Sequence, residues 1–198
     1  IEDGASRTAD IVKGLRTFSR LDESDLKEAD IHEGIDNTLI LLNHTIAKDL
    51  TVVKNYQEIP KIECYPGKLN QVFMNLLTNA IQAMNSNVNG REKKIIISTE
   101  SLNENIIIRI SDTGPGIPNE IRDKIFEPFF TTKEIGEGTG LGLSIVYAII
   151  EKHHGKIIVN SEENKGTEFA ITLPLQQSDF LNINTTDPTS ASEEPLNR

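Results

Sequence analysis

The sequence predicts an α+β fold, and three stretches carry that prediction. Residues 68–85, KLNQVFMNLLTNAIQAMN, repeat apolar side chains at helical spacing. Two isoleucine-rich segments, KKIIISTE and NIIIRISD, are joined by the short connection SLNEN and read as a hairpin. A second pair, KIIVNS and TEFAITLPL, reads as a hairpin across EENKG and directly follows a helical stretch from about residue 141 to 154. Helices and locally paired strands thus share one chain, with most strands joined in antiparallel fashion.

Composition narrows the class. A chain of 198 residues is the size of one main domain, since domains run to roughly 100–200 residues. Hydrophobic content of 37% with 5% aromatic residues and no tryptophan implies a core of Ile, Leu and Val. The longest apolar runs, such as IIRI and LILL, fall far short of the roughly 18 residues of a membrane span. The opening IEDGASRTAD has neither the basic start nor the apolar centre of a signal peptide. These features predict a cytoplasmic location with no membrane contact by this fragment; any anchor of a longer protein would lie upstream. A net charge of −10 argues against nucleic acid as a partner and implies that a bound nucleotide brings a divalent cation. The one cysteine, Cys64, excludes an internal disulfide and is expected to be buried in a strand.

Along the chain, Ile11, Leu15, Phe18 and Leu21 fall at helical spacing, which predicts a helix over residues 5 to 20. LDESDLKEAD is charged and linker-like, and Asp30 with Glu33 three residues on forms a capping-box-like start to a helix over 31–47. Short strands are expected at 50–56 and 61–64. In the helix over 68–85, the apolar stripe leaves Gln71, Asn75, Thr78, Asn79 and Gln82 on another side. Asparagine is a mediocre helix former. Two of them at i and i+4 mark either a solvated amide face or carbonyl ligands for a hard cation such as Mg²⁺ that phosphates also hold.

The strand NIIIRISD runs into Asp112-Thr113-Gly114-Pro115-Gly116-Ile117, so a carboxylate stands at the end of a buried strand. It either meets a donor or caps a turn, because an unpaired buried charge is costly. FEPFFTTK, residues 126–133, is core or a hinged flap, and Pro128 prevents a regular helix there. GEGTGLGLS then opens a helix that Gly155 ends, with His153 and His154 in its last turn, where a cation suits the helix dipole. The glycine loop lacks the lysine of a P-loop and the G-x-G-x-x-G spacing of a dinucleotide fold. By itself it is either a phosphate cradle or a plain connection. Residues after Pro174 are polar and aperiodic, which predicts a disordered tail over 176–198.

In chain order these pieces are NLLTNAIQAM, DTGPGI, FEPFFTTK, GEGTGLGLS and Gly166-Thr167. That series resembles the N, G1, F and G2 boxes of the catalytic, ATP-binding domain of two-component sensor histidine kinases, over residues 31 to 174. The resemblance implies the GHKL, or Bergerat, fold: a two-layer sandwich whose mixed, mostly antiparallel sheet is covered on one face by helices. It implies a catalytic domain over 31–175, a linker over 23–30, and in residues 1–22 the truncated second helix of a dimerisation and phosphoacceptor hairpin. None of His32, His44, His153 or His154 has the H-E-x-x-x-P-L context of a phosphoacceptor, so that histidine is expected outside this sequence.

The resemblance also assigns roles. Asp112 would accept the adenine amino group, with Gly114, Gly116 and Ile117 passing close to the base and Thr167 beside it. Asn79, with Asn75, would hold Mg²⁺ and serve catalysis. Gly138, Thr139, Gly140, Leu141 and Gly142 would cradle the phosphates, and Lys133 would contact them. The partners implied are ATP, the dimerisation hairpin of the full-length chain, a response-regulator receiver domain, and a second copy in a homodimer. Related ATPases of this fold carry a water-activating glutamate one turn before the metal asparagine; here that position is Asn75, which implies slow hydrolysis. Some histidine kinases carry a basic residue where this chain has Gln82. Alternatives of the same fold are a non-catalytic ATP-sensing or scaffolding module and an ATPase.

Overall fold

The computed structural model describes residues 25–85, 92–133 and 139–177. The helix expected over 5 to 20, Gly138, and all but the first two residues of the expected tail lie outside the described residues. Five strands form the main sheet: β2 (Leu50–Tyr56), β4 (Lys93–Leu102), β5 (Asn105–Asp112), β6 (Lys156–Glu162) and β7 (Gly166–Pro174), in the order β2-β4-β5-β7-β6. Only β2 and β4 run parallel; every other pairing is antiparallel.

Strict alternation in β4, β5 and β7 decides which side of this sheet is dry. Ile95, Ile97, Ile106, Ile108, Ile110, Ile171 and Leu173 are buried on one face. The opposite face carries polar groups, among them Arg109 and Glu100 in an ion pair of 2.6 Å. Helices therefore cover a single face, which is the two-layer arrangement expected.

A two-stranded sheet pairs β1 (Lys27–Ala29) antiparallel with β3 (Ile62–Cys64). β1 lies in the stretch read as linker, where three residues are too few for a periodic signal. Cys64 is buried as expected, and burial pushes its thiol up to about 12. Gln177, inside the expected tail, is also buried: its N–H donates to Glu63 Oε2 at 2.7 Å and its side chain to the His153 carbonyl at 2.9 Å.

Helix α1 (Ile31–Leu42) starts where the capping pattern places it, with the Asp30 carboxylate accepting from the His32 and Glu33 amides at 2.8 and 3.3 Å. It ends five residues before the expected 47, because the Leu42 carbonyl is taken by both the amide and the hydroxyl of Thr45. Helix α2 (Pro66–Asn85) begins on a proline, tolerated in a first turn whose N–H would be unpaired anyway. Its buried stripe is Leu69, Val72, Phe73, Leu76, Leu77, Ala80, Ile81 and Met84. Truncating one of the larger members to alanine costs about 2–5 kcal/mol. A short α3 (Asn119–Arg122) precedes α4 (Gly142–Lys152), which packs beside α2.

His153 departs from expectation. It is fully buried and does not act as a cation at the end of α4. Its Nδ1 lies 2.7 Å from the Ile149 carbonyl and its Nε2 accepts the Tyr65 amide at 3.1 Å. A carbonyl can only accept, so the single ring proton sits on Nδ1 and the ring is neutral. Burial, foremost, lowers its pKa from the ordinary 6.5, with the neighbouring charges of Lys152 and His154 acting in the same direction. This neutral ring ties the end of α4 to the start of α2. Exposed His154, at φ 52°, supplies the left-handed turn that leads to Gly155.

A histidine with a lowered native pKa takes up protons on unfolding, so its stabilisation is present above 6.5 and is lost as pH falls below that value. The urea midpoint is expected to drop between pH 7 and pH 5, and His153→Gln to flatten part of that drop. Equal pH dependence in the two proteins would remove the neutral tie.

Candidate functional site

A cleft of about 700 Å³ opens between α2, the segment 112–118 after β5, residues 130–133, the start of α4 and the first residues of β7. Of the residues singled out in the sequence, it brings together Asn75, Asn79, Asp112, Gly116, Ile117, Lys133, Thr139, Gly140, Gly142 and Thr167. Gly114 and Leu141 do not line it. The apolar part of the wall comes from Ile110, Ile117, Ile121, Ile125, Leu143 and Phe169, most of which carry no motif of their own. They could be found only by knowing that β5, α3, α4 and β7 converge here.

Asp112 stands directly opposite Thr167 across the β5–β7 ladder, so both side chains leave the sheet on the same face. Burial raises the pKa of its carboxyl, offset in part by hydrogen bonds from the backbone amides of Gly114 and Thr167. The Gly114 amide is 2.8 Å from Asp112 Oδ1. The donors expected for this carboxylate are therefore main-chain amides, and its remaining acceptor capacity faces the cleft.

The glycines after Asp112 answer first to the protein's own packing. Gly116 has φ +74°, and a Cβ there would overlap the Glu162 carbonyl in the β6–β7 hairpin. A Cβ on Gly114 would sit 2.7 Å from Asp112 Oδ1 and against Met84. Both close approaches are to other parts of the chain, and Gly116 lines the cleft as well. Segment 115–117 is clamped to β6 and the following turn: Ile117 donates to Ser161 Oγ at 2.8 Å and Asn164 to the Pro115 carbonyl at 2.6 Å.

On the other side of the cleft, Gly140 has φ +66° and its carbonyl accepts the Phe129 amide at 2.9 Å. A Cβ on Gly140 would overlap the Phe129 backbone, so the glycine is needed where the two loops touch. Phe129 itself is 74% exposed, whereas Phe126 packs against Phe169 and Tyr147 and Phe130 is half-buried. FEPFF thus packs against the core at both ends, through Phe126 and Phe130, and exposes Phe129 between them. No side chain caps the start of α4. The Leu141 amide is held by Thr139 Oγ1 at 3.3 Å, and the amides that follow it face the cleft end of the helix, where an anion is favoured.

Asn75 donates its amide to the Gly142 carbonyl at 3.2 Å and so ties α2 to the first turn of α4. Asn79, one turn further along α2, lines the cleft with no hydrogen-bond partner for its amide among the described residues. Lys133 reaches across to Gln82 and donates to its Oε1. Among the described lining residues Lys133 is the one cation and Asp112 the one carboxylate. No group of three or more His, Cys, Asp or Glu residues that could hold a metal occurs among the described residues. A cation here would therefore need phosphate oxygens beside neutral carbonyls, which suits Mg²⁺ held jointly with a nucleotide.

Comparison with known proteins places this geometry in context. Residues 64–177 match the family model described as histidine kinase-, DNA gyrase B-, and HSP90-like ATPase. The sensor kinase CckA of Brucella abortus is 35% identical over 185 residues, covering 88% of this chain and 20% of that protein. The nucleotide-free catalytic domain of histidine kinase ThkA has a TM-score of 0.68 at 34% identity, covering 78% of this chain and 98% of that one. ThkA in complex with the response regulator protein TrrA has a TM-score of 0.63 at 29% identity, covering 89% and 50%. The chain spans 16–25% of the length of CckA and the next curated relatives, sporulation kinase E of Bacillus subtilis and the sensor histidine kinase ZraS of Escherichia coli.

A raised native pKa means that the ionised Asp112 costs stability once pH exceeds that pKa, with no cost below the ordinary 3.8. Asp112→Asn keeps an oxygen for the Gly114 amide and removes the charge. It is expected to melt at the same temperature as the parent or higher at pH 7, and to lose that advantage as pH approaches 4. Calorimetry at the two pH values checks this; a variant clearly less stable at pH 7 would refute it.

Proposed function

The chain belongs to the histidine kinase-, DNA gyrase B- and HSP90-like ATPase family, and on that premise we propose that it is the ATP-binding catalytic domain of a two-component histidine kinase. It delivers the ATP γ-phosphate to a histidine on the dimerisation hairpin of the full-length protein, for relay to an aspartate of a response regulator. The domain takes in β1 and Gln177 and so runs over residues 27–177, after the end of that hairpin in residues 1–22 and a shorter linker over 23–26. The full-length protein acts as a homodimer with this domain in the cytoplasm. That ThkA, a structural relative, is known in complex with a response regulator supports the partner.

The observation that carries the kinase reading over an ATPase is the state of Asn75. Where an ATPase of this fold has its water-activating glutamate, this chain has an amide bonded to the Gly142 carbonyl. The only carboxylate among the described lining residues is Asp112, on the far wall. The site can position a phosphoryl donor, and none of its described lining residues beside Asn75 is a carboxylate able to activate water. Phosphoryl transfer is largely positioning and charge neutralisation, so the attacking atom can come from another domain.

In this reading Asp112 accepts the adenine amino group, a charge-assisted contact of about 1.5–3 kcal/mol, and Ile117 and the isoleucine wall cover the ring. The α4 amides and Lys133 hold the phosphates, Lys133 exchanging Gln82 for a phosphate oxygen. Asn79 offers its carbonyl to Mg²⁺ and Asn75 orients the helix start against it. When bound, Mg²⁺ supplies the charge that draws electron density from the phosphates.

The fragment, mixed with a dimerisation hairpin that carries the acceptor histidine and γ-labelled ATP, is expected to place acid-labile phosphate on the hairpin. Loss of the metal ligand in Asn79→Ala removes several kcal/mol of charge stabilisation, at least about 100-fold in transfer. Asp112→Ala is expected to weaken ATP binding by about 10- to 100-fold. Unlabelled hairpin with a competent acceptor would favour an ATP-sensing module, and unchanged ATP affinity in Asp112→Ala would sink the adenine contact.

A further inference from the structure

Behind the Asp112–Thr167 edge of the cleft lies a hydroxyl that no motif marks. Ser161, on β6, is half-buried and points to the same side of the sheet as Ile157 and Val159. It stands opposite Thr167 in the β6–β7 ladder, as Asp112 stands opposite Thr167 in the β5–β7 ladder. The three side chains therefore form one row across three adjacent strands.

The hydrogen bonds around Ser161 fix their own directions. The Ile117 amide can only donate, and it does so to Ser161 Oγ at 2.8 Å. The Gly166 carbonyl can only accept, and it lies 2.9 Å from Ser161 Oγ, so it takes the single Ser161 proton. Thr167 Oγ1 is also 2.9 Å from Ser161 Oγ. With the serine proton already committed, that contact exists only if Thr167 donates. Ser161 then has one donated and two accepted bonds and is saturated. Thr167 has spent its proton backward and has only lone pairs left for the cleft that it lines. Beside it the ionised Asp112 likewise only accepts.

We propose that Ser161 is a specificity-positioning residue: by fixing the direction of the Thr167 hydroxyl, it leaves the Asp112–Thr167 edge with side-chain acceptors alone, so that a 6-amino purine is taken and a 6-oxo purine refused. This rests on the assignment of the cleft to ATP and deepens it. A free hydroxyl would rotate and donate to a keto oxygen, blurring the distinction. A directed one cannot, and an oxygen facing it leaves two acceptors in contact without a proton, which a polar site discriminates against strongly.

The test compares ATP with inosine triphosphate, which carries oxygen in place of the amino group. Binding of each is measured to the parent, Ser161→Ala, Thr167→Val and the double variant, with melting temperatures confirming folding. The parent is expected to prefer ATP by at least about tenfold, and Ser161→Ala to cut that preference about threefold or more. Absolute affinities will also fall, because Ile117 loses its acceptor. The discriminating readout is the ratio, and Ser161→Ala added to Thr167→Val should change it no further, since no hydroxyl remains to direct. If Ser161→Ala does not fold, Thr167→Val carries the test through its own loss of preference. Equal weakening of both nucleotides in Ser161→Ala, with the ratio unchanged, would make Ser161 a mere brace for Ile117 and overturn the proposal. A parent that binds both nucleotides equally well would overturn it while leaving the nucleotide site intact, whereas a parent that binds neither would overturn the functional assignment itself.

Discussion

The packing of α2 onto the isoleucine face of the sheet organises everything else in this domain. Eight apolar side chains of α2 are buried, and once they are seated the helix has no rotational freedom left. Its polar edge, with Asn75, Asn79 and Gln82, is then forced to run along the cleft. The site is built on the seam of the core, where a helix turns from dry to wet.

Two polar ties set α4 against that helix, one at each end. Asn75 holds the Gly142 carbonyl beside the cleft, and the neutral His153 ring holds the Tyr65 amide at the opposite end. Both bonds join groups that the helices leave unpaired or half-paired, so they stabilise the packing without competing with the helical ladders. Between them they fix where the unpaired amides of α4 stand relative to Asn79. That relation has to hold if phosphates and a shared cation are to be bound at once, and it rests on groups outside the motifs as much as within them.

The base-facing side follows another logic. Asp112 is kept at the end of β5 by main-chain amides alone, with Thr167 facing it and Ser161 behind. A lysine or arginine partner would have satisfied the carboxylate and closed it to a ligand. Burial raises the pKa of the carboxyl and the amides offset that only in part, which leaves lone pairs turned to the cleft. Gly116 then serves the clamp onto β6 and the turn after it, which holds Ile117 in the wall.

Much was legible in the residues themselves. Periodicity located α2, α4 and both hairpins, the capping pattern located the start of α1, and the order of four motifs located the family and most of the residues that meet in the cleft. These are local properties: a repeat of 3.6 or 2 residues says which side of an element is dry. The tertiary structure alone decided that His153 is a neutral buried tie, that Asn75 is spent on Gly142, that Gly116 answers to Glu162, that residues 27–29 become a strand, and that Ser161 stands behind Thr167. Except for the Ser161–Thr167 pairing, each depends on partners far apart in the chain, 88 residues in the case of His153 and Tyr65. Strand register and helix crossing choose such partners, and no local pattern records that choice.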